Sequence, residues 1–133
     1  MRLALGTVQF GLDYGISNHA GEVADDELDA ILALTRKLGV NTLDTAQAYG
    51  KSEIRLGSHH TADFQLINKL APGIQAVEIA TSVAGSLQRL ARPRLDGLLL
   101  HRSQDASPAL FEQLAELQRQ GLVGKVGVSV YAP

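Results

Sequence analysis

Five short apolar runs of β-forming character alternate with four segments of helical period, and this rhythm restricts the fold more than any other feature. The predicted strands cover residues 3–7, 40–44, 64–69, 95–100 and 125–130. Before the second strand, Leu28, Ile31, Leu32, Thr35 and Leu38 recur on one helical stripe. Asp25 or Asp26 is placed to cap that helix, Arg36 and Lys37 sit in its last turn, and Gly39 lies just beyond. A two-turn helix is predicted over residues 51–58. After the Pro72-Gly73 turn, Val77, Ala80, Ala84 and Leu87 keep helical spacing over residues 75–90. Ser107 then caps a helix with Pro108 at its first position, with Leu110, Phe111, Leu114 and Leu117 predicted inward and Gly121 at its stop.

The order is therefore βαβαβαβαβ. Strands joined through helices run parallel, and their crossovers are right-handed. No linker or low-complexity stretch divides the chain, so residues 1–133 read as one α/β domain or part of one. Two architectures accept this order. A doubly wound open sheet of five strands fits the length of 133 residues directly. A (β/α)₈ barrel of the TIM type takes about 250 residues, so this chain would supply a partial barrel of about five strands and four helices.

Composition narrows the function classes. The charged fraction is 20% and the net charge −2, with acids and bases interspersed, so no basic stripe points to nucleic acid. No segment approaches the roughly 20 apolar residues of a membrane span. The run before Gly6 is too short for a secretory signal, and a cytoplasmic protein is expected. Cysteine is absent, which removes disulfides, thiolate metal sites and a cysteine nucleophile. His59 and His60 are adjacent and read as a solvated loop, and no metal site is expected. Gly6, Gly11 and Gly15 lack the spacing of a dinucleotide fingerprint.

Chemistry in either parallel architecture collects at the carboxyl ends of the strands. There the sequence places Asp44, then Tyr49 in the following loop, Lys69 and His101. Taken singly, each has a plain structural explanation: a cap, a packed loop aromatic, a snorkelling lysine, a hydrogen-bonded histidine. Together they address one chemical problem. A phenol, with a pKa near 10, is a weak acid at neutral pH. A neighbouring ammonium favours its phenolate and eases proton donation to a developing alkoxide. A carboxylate keeps that ammonium charged and oriented, and an imidazole N–H holds a carbonyl oxygen where negative charge grows. Such a set suits reduction of an aldehyde or ketone by an external hydride donor.

The segments LALGTVQFG, LDTAQAYG, INKL, LLLHR and VGVSVY, in this order, resemble the aldo-keto reductase superfamily across nearly the whole chain. The opening looks closest to bacterial members. The resemblance implies a partial TIM barrel, the N-terminal half of an NADP(H)-dependent reductase of small carbonyl compounds. It makes Tyr49 the general acid, assisted by Lys69 and Asp44, and gives His101 the task of orienting the carbonyl. It places Thr7 and Val8 along the nicotinamide end, Asp44 near the nicotinamide ribose and Ser129 at the carboxamide. The family's phosphate-gripping loops follow the last two barrel strands, which this chain does not reach.

A half-barrel leaves an inward sheet face and two outer strands without partners. Each large apolar side chain so exposed forgoes roughly 1.5–3 kcal/mol of burial. Self-association through that face, or separation from a longer chain, is the expectation that follows. The competing functional reading is a non-catalytic half-barrel with an interaction role only.

Overall fold

The computed structural model describes residues 3–130. Residue 131, the last of the fifth-strand motif, and residues 1–2 of the opening run lie outside the described residues. Five strands, β1 (Leu5–Gly6), β2 (Thr42–Asp44), β3 (Gln65–Lys69), β4 (Leu95–Leu100) and β5 (Val123–Val128), alternate with four helices, α1 (Asp25–Lys37), α2 (Ser52–Ser58), α3 (Ile79–Arg89) and α4 (Pro108–Arg119). All strand pairs are parallel, and the strand order in space is the order in sequence. A doubly wound sheet reverses its strand order midway, whereas this one never does. The monotonic order is that of a (β/α) barrel, here five strands of its wall.

One face of the sheet and the helices share a single core. Leu43, Leu66, Leu98 and Leu100 from the strands meet Leu28 and Leu32 of α1, Leu56 of α2, Ile79 and Val83 of α3, and Leu114 of α4, each at most 1% exposed. The opposite face carries Ile67 and Leu99 facing Gly97 and Gly127: a Cβ on Gly97 would lie 3.3 Å from Ile67, and one on Gly127 3.1 Å from Leu99. Large side chains thus nest over glycines of the neighbouring strand, as the tapering interior of a barrel requires. Beside them a groove of about 540 Å³, lined by Gln65, Ile67, Gly97, Leu99 and Lys125 among others, opens where the barrel axis would run.

Several local expectations are corrected. In α3 the buried positions are Ile79, Val83 and Ser86, followed by Leu90, while Val77 is 89% exposed in a preceding 3₁₀ turn. Ala80 and Ala84 are exposed as well. The larger Ile79, Val83 and Leu90 set the buried stripe, and Ser86 on the same face accepts a hydrogen bond from Gln47, 2.8 Å. Phe111 is 38% exposed, since α4 buries Leu110, Leu114 and Leu117 and residue 111 falls on their flank. Leu38 faces outward at 69% exposure. The N-cap of α1 is Ala24, with Asp25 and Asp26 inside the first turn favouring its dipole rather than capping it. Strand β5 begins two residues earlier than predicted, and β1 is only two residues long because the chain enters a 3₁₀ turn at Val8–Phe10. His59 does not sit in a solvated loop. Its side chain is 12% exposed, with Nδ1 2.6 Å from Asp29 Oδ1 and Nε2 3.6 Å from Asp25 Oδ1, so it ties the end of α2 to α1.

Candidate active site

The site is assembled at the carboxyl rim of β1 to β5. Asp44 closes β2, in register with Gly6 of β1 and Ile67 of β3. The chain then turns: Tyr49 N–H donates to the Ala46 carbonyl (3.1 Å), Gly50 takes φ +53°, and Ser52 N–H donates to the Tyr49 carbonyl (3.0 Å) as α2 starts. Tyr49 is therefore mounted on the entry to α2. Lys69 closes β3, its backbone carbonyl accepting from Gln47 N–H (3.0 Å). His101 directly follows Leu100, the last residue of β4.

The four predicted side chains form a row, Asp44 to Lys69 to Tyr49 to His101. The Lys69 ammonium donates to Asp44 Oδ1 and to the Thr45 carbonyl (3.2 Å). The same nitrogen lies 5.3 Å from the centroid of the Tyr49 ring. The His101 ring stands edge-on to Tyr49, centroids 6.1 Å apart and planes at 89°. Lys69 is 7% exposed, so its charge is affordable only because Asp44 accompanies it. Burial first, then the Lys69 and Arg102 cations, hold the His101 pKa below the ordinary 6.5. Its Nδ1 is buried without a hydrogen-bond partner among the described residues.

The positions assigned to the nicotinamide end divide into two groups. Ser129 extends the β4–β5 ladder through its N–H to the Leu100 carbonyl (2.9 Å) and is partly exposed, as is Val8. Asp44 has a side chain 34% exposed, with Oδ1 committed to Lys69. Thr7, in contrast, is fully buried: its hydroxyl donates to the Asp44 carbonyl (3.0 Å) and lies 2.9 Å from Ser52 Oγ. Ser52 in turn lies 3.0 Å from Thr45 Oγ1, so three buried hydroxyls lash β1, β2 and α2 together behind Asp44. The polar groups fit a reduced nicotinamide dinucleotide at Asp44, an acceptor, and at Ser129, whereas Thr7 is buried behind them and does not line that end.

Two supporting residues were not singled out from sequence. Glu53 of α2 is 4% exposed, and Asn68 of β3 is fully buried. Both look like ordinary helix and strand polar residues, and only their position beside Tyr49 and Lys69 hints at more. Among the described residues no three His, Asp or Glu side chains come together as a metal site, and no helix is long and apolar enough to cross a membrane.

Wall and rim together define a class: a parallel (β/α)-barrel protein whose strand ends present a phenol, an ammonium, a carboxylate and an imidazole at one mouth. Comparison with known proteins agrees. The sequence model of the Aldo/keto reductase family matches residues 2–133, and the chain belongs to that family. Its structure is similar to a Pseudomonas aeruginosa protein, PA4992, described as an aldo-keto reductase, with TM-score 0.83 and 35% identity over 95% of this chain and 54% of that one. It also resembles the holo form of a Bacillus halodurans aldo-keto reductase, TM-score 0.79 and 23% identity over 99% and 47% of the two chains, a likeness of fold. A thermostable aldo-keto reductase solved with the inhibitor epalrestat matches at TM-score 0.73 and 26% identity, over 96% and 48%. The chain spans about half the length of these relatives.

Proposed function

We propose that this rim is the acid–base half of a carbonyl reductase dependent on NADP(H), acting on an aldehyde or ketone. The observation that carries the reading is the position of the Lys69 ammonium, held by Asp44 and set 5.3 Å from the Tyr49 ring. Tyr49 is the general acid. As the carbonyl oxygen gains negative charge, the phenol delivers its proton, and the nearby ammonium stabilises the phenolate left behind. Asp44 pairs with the Lys69 ammonium and orients it, and its less engaged oxygen is available to a ribose hydroxyl. His101 donates a ring N–H to the carbonyl oxygen and fixes the substrate's orientation. A reduced nicotinamide, when bound, would supply the hydride; Ser129 would hold its carboxamide and Val8 would line its nicotinamide end.

Phosphate grip lies outside these residues in this reading, so the remaining barrel wall supplies it, from the same polypeptide or another chain. The groove of about 540 Å³ on the inward face is where that wall would pack. The same groove supports a second reading, in which the half-barrel only associates and performs no chemistry.

Tyr49→Phe separates the two. Under the first reading it lowers kcat for NADPH-dependent reduction of a panel of simple aldehydes by about 10²–10⁴-fold, the range of a lost general acid. NADPH affinity, followed by nucleotide fluorescence, stays unchanged. Undiminished reduction by the variant would remove Tyr49 from the acid role. A folded chain that binds no NADPH, yet forms a defined oligomer by light scattering, would favour the second reading.

A further inference from the structure

Tyr49 and Lys69 sit on different elements, the entry to α2 and the end of β3, and their spacing is decided by whatever joins those elements in the interior. A buried polar link through side chains spans that gap. Glu53, in the first turn of α2, accepts through Oε1 from Asn68 Nδ2 at 2.8 Å, and through Oε2 from Arg89 Nε of α3 at 2.6 Å. Asn68 uses its other end as well: Oδ1 accepts from the Lys69 backbone N–H at 2.9 Å. Both ends of the amide are thus committed, which fixes which way it points. The chain of bonds runs from the helix that follows the Tyr49 turn, through a buried carboxylate and a buried amide, to the backbone of Lys69.

A carboxylate this deep is costly unless paired, and a surface position on α2 would have avoided the cost. Its retention beside the site motivates a role. We infer that Glu53 and Asn68 form a strut that positions the Lys69 ammonium against Tyr49, making both positioning residues for the proton relay; the inference rests on the reductase reading of that rim. Lys69 is then held at four points: its N–H by Asn68, its carbonyl by Gln47, and its ammonium by Asp44 and Thr45. Arg89, 40% exposed on its side chain, neutralises Glu53 from the solvent side and leaves the carboxylate oriented inward.

The test reads Lys69 directly and needs no turnover. The chain has four lysines, Lys37, Lys51, Lys69 and Lys125, so ¹⁵N-lysine labelling gives a sparse spectrum. An ammonium enclosed by a carboxylate and a carbonyl exchanges its protons slowly and shows a resolved signal, which Lys69→Met assigns by its loss. Glu53→Gln is expected to speed that exchange by about tenfold or more, an amount equivalent to 1.4 kcal/mol of lost protection. Asn68→Ser severs the same link while leaving Glu53 with Arg89, and carries the test where Glu53→Gln does not fold. Leu114→Ala, a core change on α4 away from this chain of bonds, controls for general loosening and leaves the signal in place. Exchange in both strut variants no faster than in Leu114→Ala overturns the inference. A failed strut shows an unaltered ammonium, whereas a failed reductase reading shows unaltered reduction in Tyr49→Phe, so the two outcomes are distinct.

Discussion

Gly11→Ala tests whether the rim is as tightly built as its backbone implies. Gly11 has φ −129°, a conformation open to any residue, so the substitution probes space alone. A Cβ built there would lie 1.8 Å from the Tyr49 carbonyl oxygen, 2.5 Å from Ser52 N and 2.8 Å from Lys51 N. All three are backbone atoms of the turn that carries Tyr49, and none belongs to a side chain that can swing away. Restoring an ordinary carbon contact of about 3.5 Å requires the two segments to separate by about 1.5 Å. Overpacking of this kind costs about 1–3 kcal/mol, and loss of the Ser52 N–H to Tyr49 carbonyl bond adds about 1 kcal/mol.

The variant should therefore lose about 3 kcal/mol in urea denaturation followed by circular dichroism. A displacement near 1 Å also misplaces the phenol, which costs on the order of 10²-fold in rate where the geometry is catalytic. Gly6→Ala is the control, since a Cβ there meets nothing within 4 Å, and its stability should match the parent. A Gly11→Ala midpoint equal to that of Gly6→Ala would refute the close approach of the two loops and, with it, the account of how Tyr49 is held.

Other perturbations have equally definite outcomes. Removing Asp44 by Ala leaves the Lys69 ammonium, 8% exposed, with only the Thr45 carbonyl, and should destabilise by about 3 kcal/mol. Lys69→Met leaves a carboxylate that is 34% exposed and can be hydrated, so its cost in the same urea titration should be smaller, about 1 kcal/mol. The pH dependence of His101 has a worked sign. Its folded pKa lies below 6.5 through burial, Lys69 and Arg102, so between that value and 6.5 the unfolded chain binds the extra proton and the folded chain does not. Stability credited to this residue is complete above pH 6.5 and declines as the pH falls toward the folded pKa. The difference between the parent and His101→Gln across pH 5–7.5 should show that slope, and a flat difference would contradict it. Ser107→Ala removes a cap whose hydroxyl accepts from Leu110 N–H (3.3 Å) and should cost about 1 kcal/mol by thermal denaturation.

Strand ends were legible because a hydrophobic run stops visibly where the first polar residue arrives. Asp44, Lys69 and His101 all stand at such boundaries, and parallel pairing brings successive boundaries to one rim. Barrel against open sheet was not legible from alternation, since both share it and differ only in strand order. Helix phase failed where apolar residues were small. In α3, Ala80 and Ala84 fit a stripe as well as Val83 does, and the partner of the buried Ser86, Gln47, lies 39 positions away. Glu53 and Asn68 stayed hidden for the same reason. A charge in a seven-residue helix is ordinarily a solvated one, and its burial here follows from Arg89 and Asn68 arriving from elsewhere in the chain.

The bonds that hold the rim bear on how much of the missing wall the chemistry needs. Lys69 is held by Asp44, Thr45, Gln47 and Asn68; Asp44 by Thr7 and Lys69; Tyr49 by the turn from Ala46 to Ser52 and by the close approach of Gly11. Every one of these partners comes from β1 to β3, from α2, or from the loops between them. Contacts across the inward face, where Ile67 and Leu99 lie over their glycines, take no part in the network. Covering that face would add apolar burial, yet it would leave the spacing of phenol, ammonium and carboxylate where this half already sets it. Stability can consequently be changed in this fold without moving the rim. Substitutions at Ile67 or Leu99 act on stability alone, whereas those at Gly11 or Asp44 act on stability and spacing together.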